Sequence, residues 1–201
     1  MSEIRALLLA AGLGTRLHTL TEHCPKCLVP IAGRPLLEHW LCSLHRCGIG
    51  QVLVNMHHHQ SLVETFLTQS HFSGWVRGVS EDKLLGTAGS LRENGKYFSV
   101  CTTLLAHADN WCQCNFHDFL NFHQIHRPAN TVMTMMTFRT PTPANCGIVE
   151  VDGEGVVYGF YEKVSNPPGN IANGAVYLIE PEVVRWVEER PEVSDFSTEV
   201  L

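Results

Sequence analysis

The stretch Leu7-Leu8-Leu9-Ala10-Ala11-Gly12-Leu13-Gly14-Thr15-Arg16-Leu17 decides the reading of this chain. Apart from Arg5, residues Ile4 to Ala10 are apolar without a break. A short continuous run of this kind, with no polar alternation, predicts a strand buried on both faces of a sheet. Ala6 to Ala11 is too short for the core of a signal peptide and far too short to cross a bilayer. Gly12 and Gly14 follow at once, so the strand opens into a loop whose backbone can approach a ligand closely.

Residues 11 to 26 are rich in Gly, Thr, His and Pro and read as one long loop. Loops of that length inside a compact domain are usually functional. Glycines turn backbone N–H groups toward a phosphate, and Arg16 adds a planar fork of donors. A plain strand-to-loop turn would look much the same, since G-x-G alone is weak. Two better-defined phosphate motifs fail: no Lys stands at Walker spacing, and Leu17 occupies the place of the third glycine in a dinucleotide fingerprint. An oxidoreductase reading is disfavoured with the second of these.

Further along, strands and helices alternate. Pro35 opens a helix carrying Leu36, Leu37, Trp40, Leu41 and Leu44 at helical spacing, and Gly48 stands just past its end. Gln51 to Asn55 is expected as a strand, Ser61 to Leu67 as a helix, Trp75 to Val79 as a strand and Gly86 to Glu93 as a helix. Val100 to Ala106 reads as a strand ending at His107-Ala108-Asp109-Asn110, followed by a helix over Phe116 to Ile125 and a strand over Thr131 to Phe138. Cys146 to Val151 and Val156 to Tyr161 flank Asp152-Gly153-Glu154-Gly155, a hairpin signal. Ile171 to Ile179 is a further strand, and Pro181 starts a helix through about Glu189. Alternation of this kind predicts an α/β domain with a mostly parallel sheet, helices on both faces and antiparallel strands added late. Ligands of such sheets bind at the carboxyl ends of strands, which Gly12 to Arg16 and Asp109 are both expected to reach.

With 201 residues, 44% hydrophobic and 17% charged, the chain has the composition of one ordinary globular domain. A net charge of -6 argues against nucleic-acid binding. Without an export signal or a membrane segment, the 8 cysteines are expected as reduced thiols in a cytoplasm. Cys24-Pro-Lys-Cys27 has the spacing of redox and zinc sites but lacks a second pair. Cys112 and Cys114 are expected to pack beside the preceding strand. His57-His58-His59 is expected in a loop between strand and helix rather than around a metal, because adjacent residues point apart.

Taken in order, five segments resemble the sugar-1-phosphate nucleotidyltransferases. They are the opening stretch with Pro25-Lys26 and Gly33-Arg34-Pro35 after it, then Leu85-Gly86-Thr87-Ala88-Gly89, Asp109, Glu162-Lys163 and Asn173-Gly174. The resemblance covers nearly the whole chain. It implies a Rossmann-like, three-layer α/β domain over residues 1–201, with a mostly parallel mixed sheet. It also implies a reaction: an NTP and a sugar-1-phosphate give an NDP-sugar and pyrophosphate. GTP with mannose-1-phosphate comes first. Heptose-1-phosphate guanylyl transfer, sugar-phosphate uridylyl transfer, or a non-catalytic NDP-sugar-binding regulatory role are the alternatives.

The same resemblance assigns roles. Leu9, Ala11, Gly12, Gly14, Thr15, Arg16, Lys26, Gly86 and Ala88 are expected at the nucleotide. Gly147, Glu162, Lys163 and Asn173 are expected at the sugar phosphate. Arg16, Lys26 and Asp109 are expected to carry catalysis, with Asp109 holding Mg²⁺. NTP and sugar-1-phosphate are then the partners, without nucleic acid or membrane, and a homo-oligomer is compatible with this reading. The family carries a second metal-binding Asp near the end of its domain, and nothing here matches it; Asp195 stands in a poor context. The expectation is either a chain cut within its domain, at a helix beginning over Ser197-Thr198-Glu199-Val200-Leu201, or reliance on one carboxylate.

Overall fold

The computed structural model describes residues 3–12, 14 and 17–201, with the side chains of His18 and Thr19 left aside. Leu13, Thr15 and Arg16 lie outside the described residues. In chain order the elements are β1 (Ile4–Leu9), α1 (His18–Thr21), β2 (Pro30–Ile31), β3 (Arg34–Pro35), α2 (Leu36–Arg46), β4 (Val52–Met56), α3 (Gln60–Leu67), β5 (Val76–Ser80), α4 (Gly86–Glu93) and α5 (Gly95–Phe98). They continue with β6 (Thr102–His107), α6 (Phe116–Ile125), β7 (Met133–Arg139), β8 (Gly147–Val151), β9 (Val157–Glu162), β10 (Ile171–Ile179), α7 (Pro181–Glu188) and α8 (Phe196–Glu199).

Among the described residues, eight strands form one sheet in the order β5-β4-β1-β6-β10-β8-β9, with β7 paired to β10. Strands β5, β4, β1 and β6 run parallel, while β10 is antiparallel to β6, β7 and β8. The fold is therefore mixed α/β with a mostly parallel central region flanked by helices. Alternation along β1 explains the unbroken apolar run. Ala6, Leu8 and Ala10 enter a core with α2, α3 and α6, whereas Leu7 and Leu9 enter a second core with α4, α5, α7 and α8. Neither face of β1 meets water, so each Leu contributes about 1.5–3 kcal/mol of burial.

The structure departs from the sequence reading in several places: that reading lacks β2, β3 and α5, and β7 begins at Met133 rather than Thr131. The long loop contains the one-turn helix α1 and a 3-10 turn over Lys26–Leu28. Local bonds organise it: Leu17 N–H and Thr21 Oγ1 both donate to the Gly14 carbonyl, each at 3.0 Å. Strand β6 begins at Thr102 rather than Val100, because Cys101 N–H closes a turn onto the Phe98 carbonyl and leaves Val100 exposed. The hairpin β8–β9, the helices α4 and α6 and the strand β10 lie where the sequence places them. Among the described residues no helix is long and apolar enough to cross a membrane.

Candidate active site

Parallel register builds the site. Leu9 pairs with Asn55 on one side and His107 on the other, so three strand ends stop in one row. Beyond that row lies a cavity of about 230 Å³ whose lining includes Leu9, Ala11, Gly12, Asn55, Gly86 and Asp109 but not Lys26. Ala108 N–H donates to the Leu9 carbonyl at 2.9 Å, which carries the chain one residue past β6 and presents Asp109 beside the loop. The loop returns at buried Pro25, and Lys26 Nζ lies 2.7 Å from Asp109 Oδ2 with both side chains about three-quarters buried. A side-chain carbon on Gly12 would sit 3.8 Å from that same oxygen. Loop backbone, cation and carboxylate thus converge, as the sequence order suggests. Arg16 and Thr15, also expected here, fall outside the described residues.

The turn at Leu85-Gly86 forms the opposite wall. Gly86 has φ +77°, and a side-chain carbon there would fall 2.3 Å from the Ser194 carbonyl oxygen. Only glycine accommodates both the left-handed backbone and that contact. Ala88 does not line the cavity: its methyl is fully buried in the second core, and its N–H donates to Ser194 O at 3.0 Å.

The residues expected at the sugar phosphate lie on the antiparallel half of the sheet, outside this cavity. Gly147 pairs with Glu162 in the β8–β9 ladder, and a side chain at Gly147 would collide with Glu162 Oε2 at 2.6 Å. Lys163 follows in a left-handed conformation, its ammonium on Glu162 Oε1. Asn173 sits at the β10 bulge, donating from Nδ2 to the Tyr177 hydroxyl at 2.6 Å, while Ala175 N–H returns to Asn173 Oδ1. The bulge gives the strand a local bend.

Comparison with known proteins places this arrangement. Residues 5–201 match the family model described as "Nucleotidyl transferase". The chain belongs to that family. It is 29% identical over 193 residues to a Mycobacterium tuberculosis protein named mannose-1-phosphate guanylyltransferase, covering 96% of this chain and 53% of that one. It is 28% identical over 200 residues to a Synechocystis protein named UTP–glucose-1-phosphate uridylyltransferase, covering 92% and 51%. The chain thus spans about half the length of the curated relatives it matches. In fold it resembles the crystal structure of HddC from Yersinia pseudotuberculosis complexed with GMP-PN, with a TM-score of 0.78 at 20% identity over 98% of this chain and 84% of the other.

The structure adds residues that motif reading missed. Glu81 is 7% exposed and lines the cavity. Its Oε1 accepts from Asn55 Nδ2 at 2.9 Å and from Ser90 Oγ at 2.5 Å. Its Oε2 receives Leu85 N–H at 3.4 Å. Asn55 Oδ1 in turn accepts Ala10 N–H at 2.6 Å, so one polar chain ties the end of β1 to the Gly86 turn. A polar Asn inside the apolar strand β4 was the available sequence signal. His107 also lines the cavity; burial holds its imidazole below the usual range, against the opposing pull of Asp109 and Asp195.

Asp195 caps α8, accepting Thr198 N–H at 2.9 Å, and its Oδ2 lies 3.4 Å from Thr87 Oγ1 at the cavity wall. Among the described residues no group of three His, Cys, Asp or Glu side chains could hold a metal by itself. Asp109 at the cavity would suit Mg²⁺, a hard ion that takes one or two carboxylates and completes its shell with phosphate oxygens and waters.

The other sequence candidates separate cleanly. Cys27 is buried in the first core and its thiol is pushed up to about 12 by that burial, so Cys24-x-x-Cys27 has no reactive partner pair. His57 to His59 form the turn between β4 and α3. Cys112 packs against the first core as expected, but Cys114 is exposed, because the segment after Asp109 runs over the surface.

Proposed function

We propose that this chain carries the catalytic core of a sugar-1-phosphate nucleotidyltransferase, a single domain over residues 1–201, acting on GTP and mannose-1-phosphate in the cytoplasm. The observation that carries the reading is the 2.7 Å Lys26–Asp109 pair set against the Gly12 loop at the ends of parallel strands. A sugar-1-phosphate oxygen attacks the α-phosphorus in line and pyrophosphate leaves. The nucleophile is already an anion, so alignment and relief of charge repulsion are what the protein must supply. Gly12 and Gly14 offer backbone donors to the triphosphate, with Thr15 and Arg16 beside them. Lys26 places its ammonium at the α-phosphate or the departing pyrophosphate. Asp109 would hold Mg²⁺, which would supply neutralisation of phosphate charge. Lys163 meets the sugar phosphate, while Glu162, Asn173 and the Gly147 backbone meet sugar hydroxyls.

The relative named mannose-1-phosphate guanylyltransferase makes GTP with mannose-1-phosphate the first reading. The relative named for uridylyl transfer keeps UTP and glucose-1-phosphate as the second reading. A matrix of NTPs against sugar-1-phosphates with Mg²⁺, followed by pyrophosphate release, tests both. The largest kcat/KM is expected for GTP with mannose-1-phosphate. Release of no pyrophosphate from any pair would refute the enzyme reading in favour of an NDP-sugar-binding role.

A further inference from the structure

Asn55 is the one polar residue of β4, it is 2% exposed, and it lines the cavity at the strand ends. Hydrogen bonds of a parallel ladder are evenly spaced. Ala6 N–H donates to the Gln51 carbonyl at 2.9 Å, so four residues further the same rhythm brings Ala10 N–H to the Asn55 main-chain carbonyl. Ala10 N–H instead meets Asn55 Oδ1 at 2.6 Å. The side chain takes the place of the ladder's next carbonyl just where β1 and β4 end and the cavity begins.

The other end of the same amide holds the opposite wall. Asn55 Nδ2 donates to Glu81 Oε1 and to Ser90 Oγ, each at 2.9 Å, and the Ser90 hydroxyl passes on to Glu81 Oε1. Glu81 Oε2 receives Leu85 N–H, one residue before Gly86. The main chain of Glu81 is also fixed to β4. Its N–H donates to the Met56 carbonyl at 2.8 Å, and its own carbonyl lies 2.8 Å from His57 Nδ1. A planar amide offers an acceptor on one side and two donors on the other. Asn55 uses both sides, the acceptor toward β1 and the donors toward Glu81 and α4.

We infer that Asn55 is a positioning residue for the nucleotide, setting the gap between the end of β1 and the Leu85-Gly86 turn. The inference rests on the proposed nucleotidyl transfer, in which those two walls meet the NTP. Asn55 acts through Ala10 and Glu81, and the Glu81 carboxylate serves as the acceptor for that amide. The gap needs unlike partners, a donor group facing an acceptor group. Asn55→Asp sets two carboxylates against each other and removes both donors. Asn55→Asp combined with Glu81→Gln exchanges the two roles, and restores a donor facing an acceptor while both Ala10 N–H and Leu85 N–H keep an oxygen. Lys163, Glu162 and Asn173 stand on the antiparallel half of the sheet, so the sugar phosphate should not sense either change.

Three measurements test this. Amide exchange at Ala10 and Leu85 in the nucleotide-free protein reads the coupling. Calorimetry with the tightest-bound Mg²⁺–NTP reads its consequence, and KM for the sugar phosphate is the internal control. Asn55→Asp is expected to speed exchange at both amides and to weaken nucleotide binding about tenfold, the scale of one buried hydrogen bond to a charged group. KM for the sugar phosphate is expected to stay nearly unchanged. The exchanged pair is expected to recover most of the lost affinity and protection. Ser90→Ala removes only one hydroxyl from the chain and serves if Asn55→Asp does not fold; it should weaken nucleotide binding by about threefold. Native nucleotide affinity in the folded variants would overturn the inference. So would an exchanged pair no better than Asn55→Asp, which would put the Glu81 carboxylate on the nucleotide itself. A native protein that binds no NTP would overturn the nucleotidyl-transfer reading and this role with it, whereas the two preceding results overturn this role alone.

Discussion

Replacing Gly86 by Ala tests whether the Leu85-Gly86 turn is shaped by its contact with residues 194–196. The residue has φ +77°, and the new methyl would stand 2.3 Å from Ser194 O and 3.0 Å from Ser194 C. A side chain in left-handed backbone costs about 1–2 kcal/mol, and overpacking against a fixed atom adds about 1–3 kcal/mol. The obstruction is backbone, so it cannot swing aside. Relief would require residues 194–196 to lift from the turn, losing the bonds from Ala88 N–H to Ser194 O and from Phe196 N–H to Thr87 Oγ1 at 2.6 Å. The expected destabilisation is about 2–5 kcal/mol, the sum of the two costs. For a domain of this size that lowers Tm by roughly 4–20 °C. Urea unfolding and calorimetry measure both quantities. Gly153→Ala is the control, since nothing lies within 4 Å of its added carbon; it should change stability by less than about 1 kcal/mol. If Gly86→Ala proved as stable as Gly153→Ala, the steric account of this turn would be wrong.

Further expectations concern chemistry and pH. Lys26→Ala should lower kcat by about a hundredfold or more, the scale of losing one preorganised donor, with the melting temperature little changed; near-normal turnover would remove its assigned role. Asp109→Asn keeps shape and loses charge, so a severe rate loss with weakened Mg²⁺ dependence is expected, and an unaltered Mg²⁺ titration would sink the metal assignment. Lys163→Ala should raise KM for the sugar phosphate and leave NTP binding nearly unchanged, whereas equal damage to NTP affinity would move Lys163 to the triphosphate. His123 is buried against Thr134 and Glu180, and that burial holds its imidazole below the usual range. The unfolded chain therefore takes up this proton first as pH falls, so the stability from a neutral His123 is present above the ordinary histidine range and is lost below it. Tm should drop between pH 7 and pH 5 more steeply in the native protein than in His123→Gln, and parallel profiles would contradict this.

Much of the molecule was legible in one dimension because the deciding signals are local. An apolar run that tolerates no polar alternation has to be a strand covered on both faces, and β1 divides its side chains between two cores as that run requires. The Asp-Gly-Glu-Gly turn specified the β8–β9 hairpin, and Pro35 with Gly48 bracketed α2. Motif order alone grouped Gly12, Lys26 and Asp109. Their approach to 2.7 Å needed the pairing of β1 with β6, because 83 residues separate the two charges along the chain. Glu81 carried no motif of its own. It became a pocket residue only when β4, β5 and α4 brought Asn55 and Ser90 onto its carboxylate, a bond set that compensates for burying charge. Cys112 packs beside the preceding strand as sequence suggested, whereas the surface course of the segment leaves Cys114 exposed. Sequence determined which elements form and which side chains they carry, since propensity and periodicity act over a few residues. Tertiary structure decided which distant groups share a hydrogen bond, because that depends on strand order and register, which no short window contains.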